Sequence, residues 1–200
     1  KLAVSRTELE GRSGSRNGMA GAVQALLSRR DIGELKGIFG TVSELCAPKE
    51  DSHEEALSTA LGAGMNSIVV QDDNVASECM AWLRNNKAGR ATFLPLNKIQ
   101  AARPSGKAIM VERQSGVLGF AWEMLDFDPR FESAIRYVMR DTLVVSDLAT
   151  ARKHMGGVRM VTLNGNVTEA GGAMIGGSRA RLKVNFGGKI QGSKEIEKLE

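Results

Sequence analysis

Two hundred residues, 42% hydrophobic and 25% charged, suffice for a domain with a real core and match the composition of ordinary globular chains. No apolar run approaches the ~20 residues of a membrane-spanning helix, no charged-then-apolar start resembles a secretory leader, and a net charge of +4 is too small to define a partner. Cys46 and Cys79 lack metal-ligand spacing and fall in different predicted elements, so they read as buried thiols rather than a disulfide or redox pair.

Residues 1–18 are rich in Gly, Ser and Arg and show little periodicity. After the candidate cap Asn17, the residues Ala20, Val23, Leu26 and Leu27 fall on one helical face, and the predicted helix ends in Arg29-Arg30, a basic end suited to its dipole. Ile38–Leu45 alternates as a strand. Ser52-x-x-Glu55 has the form of a capping box, ahead of a helix with the stripe Ala56, Leu57, Ala60 and Leu61 that Gly62 and Gly64 end. Ile68-Val69-Val70 is apolar throughout, as in a strand covered on both faces. Asp72-Asp73-Asn74 caps a helix bearing Val75, Ala76, Cys79, Met80 and Leu83, which stops by Gly89, and Ala91–Leu96 is a strand that Pro95 either places at an edge or ends.

Asn97–Gln114 is basic and less regular, with a strand expected at Ala108–Glu112, and reads as a connection between two lobes. The pattern then restarts. Asp128-Pro129 opens a helix with the stripe Phe131, Ala134, Ile135, Val138 and Met139; Thr142–Val145 is an apolar strand; Asp147 caps a helix bearing Leu148, Ala151 and Met155; Val158–Leu163 is a strand. Glu55-Ala56 corresponds to Ser133-Ala134, Val69-Val70-Gln71-Asp72 to Val144-Val145-Ser146-Asp147, and Leu96-Asn97 to Leu163-Asn164. A helix–strand–helix–strand unit used twice predicts an α/β (mixed α+β) body of two pseudo-symmetric lobes, each a small sheet with flanking helices.

The strand Val158–Leu163 meets the hairpin signal Asn164-Gly165 and a second short strand, Asn166–Glu169. Gly171, Gly172, Gly176 and Gly177 then surround the apolar triplet Ala173-Met174-Ile175. Such density of glycine implies either special backbone conformations or the close approach of another surface. Gly171-x-x-x-x-Gly176-Gly177-Ser178 has the spacing of a phosphate loop but carries Gly177 where the lysine belongs, and no helix pattern follows. Self-association by strand addition is the competing reading, against an internal glycine-rich turn. His53, His154 and the pair Asp72-Asp73 sit at predicted helix ends, where capping or the dipole explains them, and no catalytic or metal-binding residue is assigned. Arg29, Arg30 and Lys36 near one end and Arg179, Arg181 and Lys183 near the other make a phosphate-contacting patch if the ends meet, against the alternative of a solvated basic surface.

Together GIFGTVSEL, Ile68-Val69-Val70, RATFLPLNKI, DTLVV and RMVTLNGNV followed by GGAMIGGS resemble, in order over about residues 35–178, the hinge domain of SMC (structural maintenance of chromosomes) proteins. The resemblance implies the SMC hinge fold with coiled-coil stubs at both ends. On that basis residues 1–34 are linker and incoming helical stub, 35–114 the first lobe with its connector, 115–185 the second lobe and 186–200 the start of the outgoing coiled coil, where Ile196 and Leu199 stand at heptad spacing. It implies a dimer, with the interface at Gly172, Ala173, Met174, Ile175, Gly176 and Gly177, while Gly171 stands where many relatives carry serine. It also implies weak DNA binding through basic residues near the hinge–coil junction. The fragment is then non-enzymatic and uses no cofactor, its ATPase heads and accessory-subunit sites lie in absent parts of the chain, and its setting is the cytoplasm and nucleoid. The absence of long insertions favours the prokaryotic, homodimeric type. The rival reading is a small nucleotide- or metabolite-binding α/β enzyme domain.

Overall fold

The computed structural model describes residues 21–101, 103–177 and 186–187. Helix α1, Gly21–Asp31, buries Val23, Leu26 and Leu27 as expected, together with Ala22; the expected Ala20 and the cap Asn17 lie outside the described residues. Strand β1 is only Ile38–Thr41. It bulges at Gly40, whose φ is +150°, and then turns back, because Thr41 N donates to the Glu44 carboxylate at 3.1 Å and Leu45 N to Thr41 O at 3.2 Å. The expected strand through Leu45 is thus a strand and a tight turn, followed by a separate strand β2, Cys46–Pro48. The capping box at Ser52 does not form: a 3₁₀ turn, Asp51–His53, intervenes and the Ser52 hydroxyl donates to Glu50 at 3.4 Å. Helix α2, Glu54–Leu61, buries Ala56, Leu57, Ala60 and Leu61.

Strand β3, Ile68–Val70, is fully buried. Asp72 Oδ1 then accepts from Val75 N at 2.9 Å and opens helix α3, Asp73–Asn85. Ala76, Cys79 and Leu83 form its buried stripe, with Val75 and Trp82 packed beside them. That direction turns Met80, expected in the stripe, outward to 49% exposure. Strand β4, Phe93–Pro95, follows. The strand expected at Ala108–Glu112 is instead a helix, α4, Gly106–Glu112: the Ser105 hydroxyl accepts from Ala108 N at 3.2 Å, and the buried residues Ala108 and Val111 are spaced by three rather than two. Strands β5, Val117–Phe120, and β6, Leu125–Phe127, were not expected. Helix α5, Glu132–Met139, is preceded by a turn that Asp128 caps through Arg130 N. Strand β7, Leu143–Val145, helix α6, Leu148–Lys153, and strands β8, Met160–Thr162, β9, Val167–Thr168, and β10, Met174–Ile175, complete the elements among the described residues.

The duplication expected from sequence is present in space. One sheet has the order β1-β3-β4, the other β10-β9-β8-β7-β5, and β2 pairs with β6. In each lobe an antiparallel pair with a glycine bulge (β1/β3 at Gly40, β5/β7 at Gly119) lies beside a parallel pair (β3/β4, β7/β8). Even the exits of α2 and α5 match: Gly62 has φ +51°, ψ −136°, and Arg140 φ +54°, ψ −139°. An arginine there accepts backbone strain that glycine avoids.

Each short strand faces two cores. Ile68 and Val70 face α1 and α3, and Leu143 and Val145 face α4 and α6, making one outer core per lobe. Val69 and Val144 face a central core built by both lobes, with Leu57 of α2, Ile135 of α5, Cys46 of β2 and Leu125 of β6. α1 and α4 therefore belong to the outer cores of the first and second lobe respectively, so the segment read as a connector supplies part of the second lobe.

Asp147 Oδ1 accepts from Thr150 N at 2.8 Å, and that backbone bond, with the Ser146 hydroxyl, holds its carboxyl below the usual carboxylate range. A folded-state pKa below the unfolded one contributes stability above the ordinary value of ~3.9 and loses it as pH falls. Asp147→Ala is expected to lower the urea midpoint at pH 7, and the difference from the unmodified chain to shrink toward pH 3.

Candidate interaction surfaces

Strand β8 leads into a tight turn at Asn164-Gly165, where Gly165 has φ +73°, Gly165 N donates to Thr162 O and Thr162 N to Asn166 O, both at 2.9 Å. β9 follows, and a second tight turn is closed by Gly172 N donating to Glu169 O and Glu169 N to Ala173 O, both at 2.8 Å. β10 then pairs Met174 with Thr168 and Ile175 with Val167. Among the described residues β10 is the last strand of its sheet, and Met174 and Ile175 are 48% and 56% exposed. An apolar strand with an open hydrogen-bonding edge is a template for another strand. At the end of the other sheet β4 is likewise an edge, one of the two outcomes expected from Pro95.

The glycines around β10 have different reasons. Gly172 and Gly177 have φ of +92° and +125°, values that disfavour any side chain. A Cβ on Gly176 would lie 2.4 Å from Asn166 Oδ1, so the close neighbour there belongs to the same chain. Gly171 has neither a positive φ nor any atom within 4 Å of a built Cβ. Because Met174-Ile175 is hydrogen-bonded strand, the Gly171–Gly177 stretch does not form a loop wrapped for a phosphate.

The basic residues divide similarly. Arg179, Arg181 and Lys183 lie outside the described residues. Arg30 is nearly enclosed, its side chain 13% exposed, and it bonds Asp31 at 2.9 Å, Glu44 at 3.4 Å and Phe39 O at 3.2 Å. It anchors α1 to the turn after β1, and Gly40 leaves the space: a Cβ there would meet Glu44 Oε2 at 2.7 Å. Arg29 pairs with Glu34 and lies 5.4 Å from the Trp82 ring, still 41% exposed, and Lys36 is exposed. The chain returns to the same turn, where Gly187 N donates to Ser43 O at 3.1 Å and Phe186 packs on the central core. The last turn of α1 and the returning chain thus meet at this one turn. Sequence reading missed Arg84, Lys87 and Arg90, all exposed; a Cβ on neighbouring Gly89 would lie 3.4 Å from Ala22, which sets this loop against the first turn of α1. The available signal was three cations without a carboxylate between Trp82 and Thr92.

The remaining candidates are structural. Asp72 is a cap, Asp73 accepts from Asn97 Nδ2 at 2.6 Å, which draws its carboxyl below the usual range, and His53 Nε2 lies 3.9 Å from Glu50. Burial pushes the Cys46 thiol up to about 12, and it donates to Val42 O at 3.1 Å. Among the described residues no three His, Cys, Asp or Glu side chains gather as a metal site, and no helix is long and apolar enough to cross a membrane.

Comparison with known proteins agrees with this architecture. Residues 35–155 match the family model described as SMC proteins Flexible Hinge Domain. The chromosome partition protein Smc of Gloeobacter violaceus is 40% identical over 144 residues, 72% of this chain and 12% of that protein. That of Thermoplasma acidophilum is 38% identical over 148 residues, 72% of this chain and 13% of its own length. The matched region is therefore a small part of such proteins. The asymmetric dimer of the Geobacillus stearothermophilus SMC hinge domain superposes with a TM-score of 0.78 at 33% identity, covering 98% of this chain and 78% of that one. The Pyrococcus furiosus SMC hinge domain gives 0.68 at 32%, covering 88% and 91%.

The glycine geometry makes a direct prediction. Gly172→Ala is expected to cost about 1–2 kcal/mol in urea unfolding through its positive φ, while Gly171→Ala stays within about 0.5 kcal/mol. Equal effects would place the strain elsewhere.

Proposed function

The chain belongs to the family of SMC flexible hinge domains, and from that premise we propose that it is the dimerisation hinge joining two coiled-coil arms of a chromosome-organising ATPase. The observation that carries the reading is the β10 edge, unpaired among the described residues and bearing exposed Met174 and Ile175, in a molecule whose other sheet has β4 as an edge. A two-fold dimer sets the β10 end of each protomer against the β4 end of its partner, so that both open edges close at once. Gly172, Ala173, Met174, Ile175, Gly176 and Gly177 form the contact. The dimeric state of the Geobacillus stearothermophilus hinge supports dimerisation as such. The hinge itself is non-catalytic and needs no cofactor; the ATPase and the contacts to accessory subunits belong to other parts of the chain, in a cytoplasmic, nucleoid-associated protein. A homodimer is the form proposed, given the prokaryotic relatives.

We also propose a secondary, sequence-independent affinity for DNA. Arg29 and Lys36, the exposed Arg84, Lys87 and Arg90 beside the start of α1, and Arg179, Arg181 and Lys183 supply it, whereas Arg30 serves the fold. This placement favours phosphate contacts at the base of the arms over a base-reading groove. The nucleotide-binding alternative has no such support, since the glycine segment is strand.

Sedimentation of the chain at micromolar concentration is expected to show a dimer, and the double substitution Met174→Glu, Ile175→Glu a folded monomer. A monomeric unmodified chain would sink the proposal. DNA affinity is expected to fall steeply with salt, and replacing Arg179, Arg181 and Lys183 by Glu to flatten the salt dependence by about one unit of log–log slope for each phosphate no longer neutralised. An unchanged slope would remove those residues from the DNA surface.

A further inference from the structure

Arg159 lies just before β8 with its side chain 24% exposed, and its guanidinium reaches three parts of the molecule. Nη1 donates to Ala60 O at 3.0 Å and Thr142 Oγ1 at 3.2 Å, Nη2 lies 3.4 Å from Thr59 O, and Nε donates to Glu169 at 3.2 Å. Thr59 and Ala60 belong to the last turn of α2 in the first lobe, where carbonyls lack intrahelical donors and the dipole is negative, so a cation there is doubly favoured. Thr142 precedes β7 in the second lobe. Glu169 forms the turn between β9 and β10 through its own N–H and C=O. One planar fork therefore holds the end of a first-lobe helix, the second-lobe sheet and the turn that delivers β10.

A second contact points the same way. The turn between β8 and β9 rests on α2 as well: a Cβ on Gly165 would lie 3.1 Å from Thr59 Oγ1 and 3.3 Å from the Glu55 side chain. The hairpins that carry β10 are thus seated on the opposite lobe. The equivalence of β4 with β8 sets Thr92 opposite Arg159, so the lobe that carries no β9–β10 extension also carries no cation at this position.

We infer that Arg159, acting through Glu169, is the positioning residue of the β10 edge and ties the self-association surface to the junction between the lobes. This inference rests on the dimer reading above. Arg159 and Glu169 line an open cleft of about 400 Å³ between the ends of α2 and α5, so changing Glu169 removes a charged contact without opening a hole in the core. Lysine cannot replace the arginine, because a point charge does not hold several acceptors in one plane.

The test is sedimentation of the whole 200-residue chain with Glu169→Gln, Glu169→Ala and Arg159→Lys, paired with urea unfolding of the Glu169 variants in the monomeric Met174→Glu, Ile175→Glu background. Each variant is expected to raise the dimer dissociation constant about tenfold or more, ~1.4 kcal/mol, while the Glu169 changes leave the urea midpoint of the monomer where it was. Glu169 variants that dimerise as tightly as the unmodified chain overturn the inference and leave the dimer intact. A midpoint that falls in step with affinity overturns it too, since the pair then only supports the fold. A monomeric unmodified chain overturns the dimer reading itself, and this inference with it.

Discussion

The constraint on which everything else depends is that neither lobe can bury the inner face of its own sheet. Strands of two to four residues carry little surface of their own, so both sheets depend on what packs against their faces. In both lobes the strand between an antiparallel and a parallel neighbour, β3 or β7, is buried on both faces, with Val69 and Val144 pointing inward to a core shared by the two lobes. α2 and α5 fill it together, and β2 pairs with β6 across the junction, Cys46 to Phe127 and Pro48 to Leu125. The two halves are one cooperative unit despite the repeat. Truncating Leu57 or Ile135, both fully buried in that core, removes packing from both lobes at once, a loss of about 2–5 kcal/mol.

Much of this was legible in the sequence, and the limits have physical causes. Helical stripes at 56–61 and 131–139 and the apolar strands at 68–70 and 143–145 announced themselves because burial on one stripe or both faces leaves a periodic trace. β2, β5 and β6 left none: at three or four residues, with a glycine bulge inside β5, alternation is too short to read. α4 was mistaken for a strand because Ala-Ile-Met-Val is apolar at every position, and only tertiary packing decides that Ala108 and Val111 turn inward. The SMC resemblance carried the fold further than periodicity alone did.

The candidate site shows the same division. Glycine density marked the segment, but it could not separate Gly172, held by its backbone angle, from Gly176, crowded by Asn166, or from Gly171, held by nothing in the described chain. Nor could it show that Arg30 is enclosed, since Glu44 lies fourteen residues away and Gly40 must be side-chain-free for the pair to close. The same turn receives Gly187, so the last turn of α1 and the returning chain share one short loop.

The repeat is most informative where it breaks. The first lobe stops at β4, while the second continues through β9 and β10, so the two sheets end differently. Two identical open edges would allow indefinite edge-to-edge growth, the hazard that natural sheets avoid. The proposed dimer joins unlike edges, one bearing Pro95 and the other apolar, and its two-fold closure is what keeps that pairing from running on head to tail. In the proposed dimer the extension must hold a fixed angle to the rest of the molecule, because each protomer meets its partner at both ends simultaneously. Hydrogen bonds within the hairpins fix β10 relative to β9, but only contacts reaching the other lobe can fix it relative to β4. Arg159 and the turn at Gly165 make such contacts, both on α2, the helix whose burial binds the lobes together.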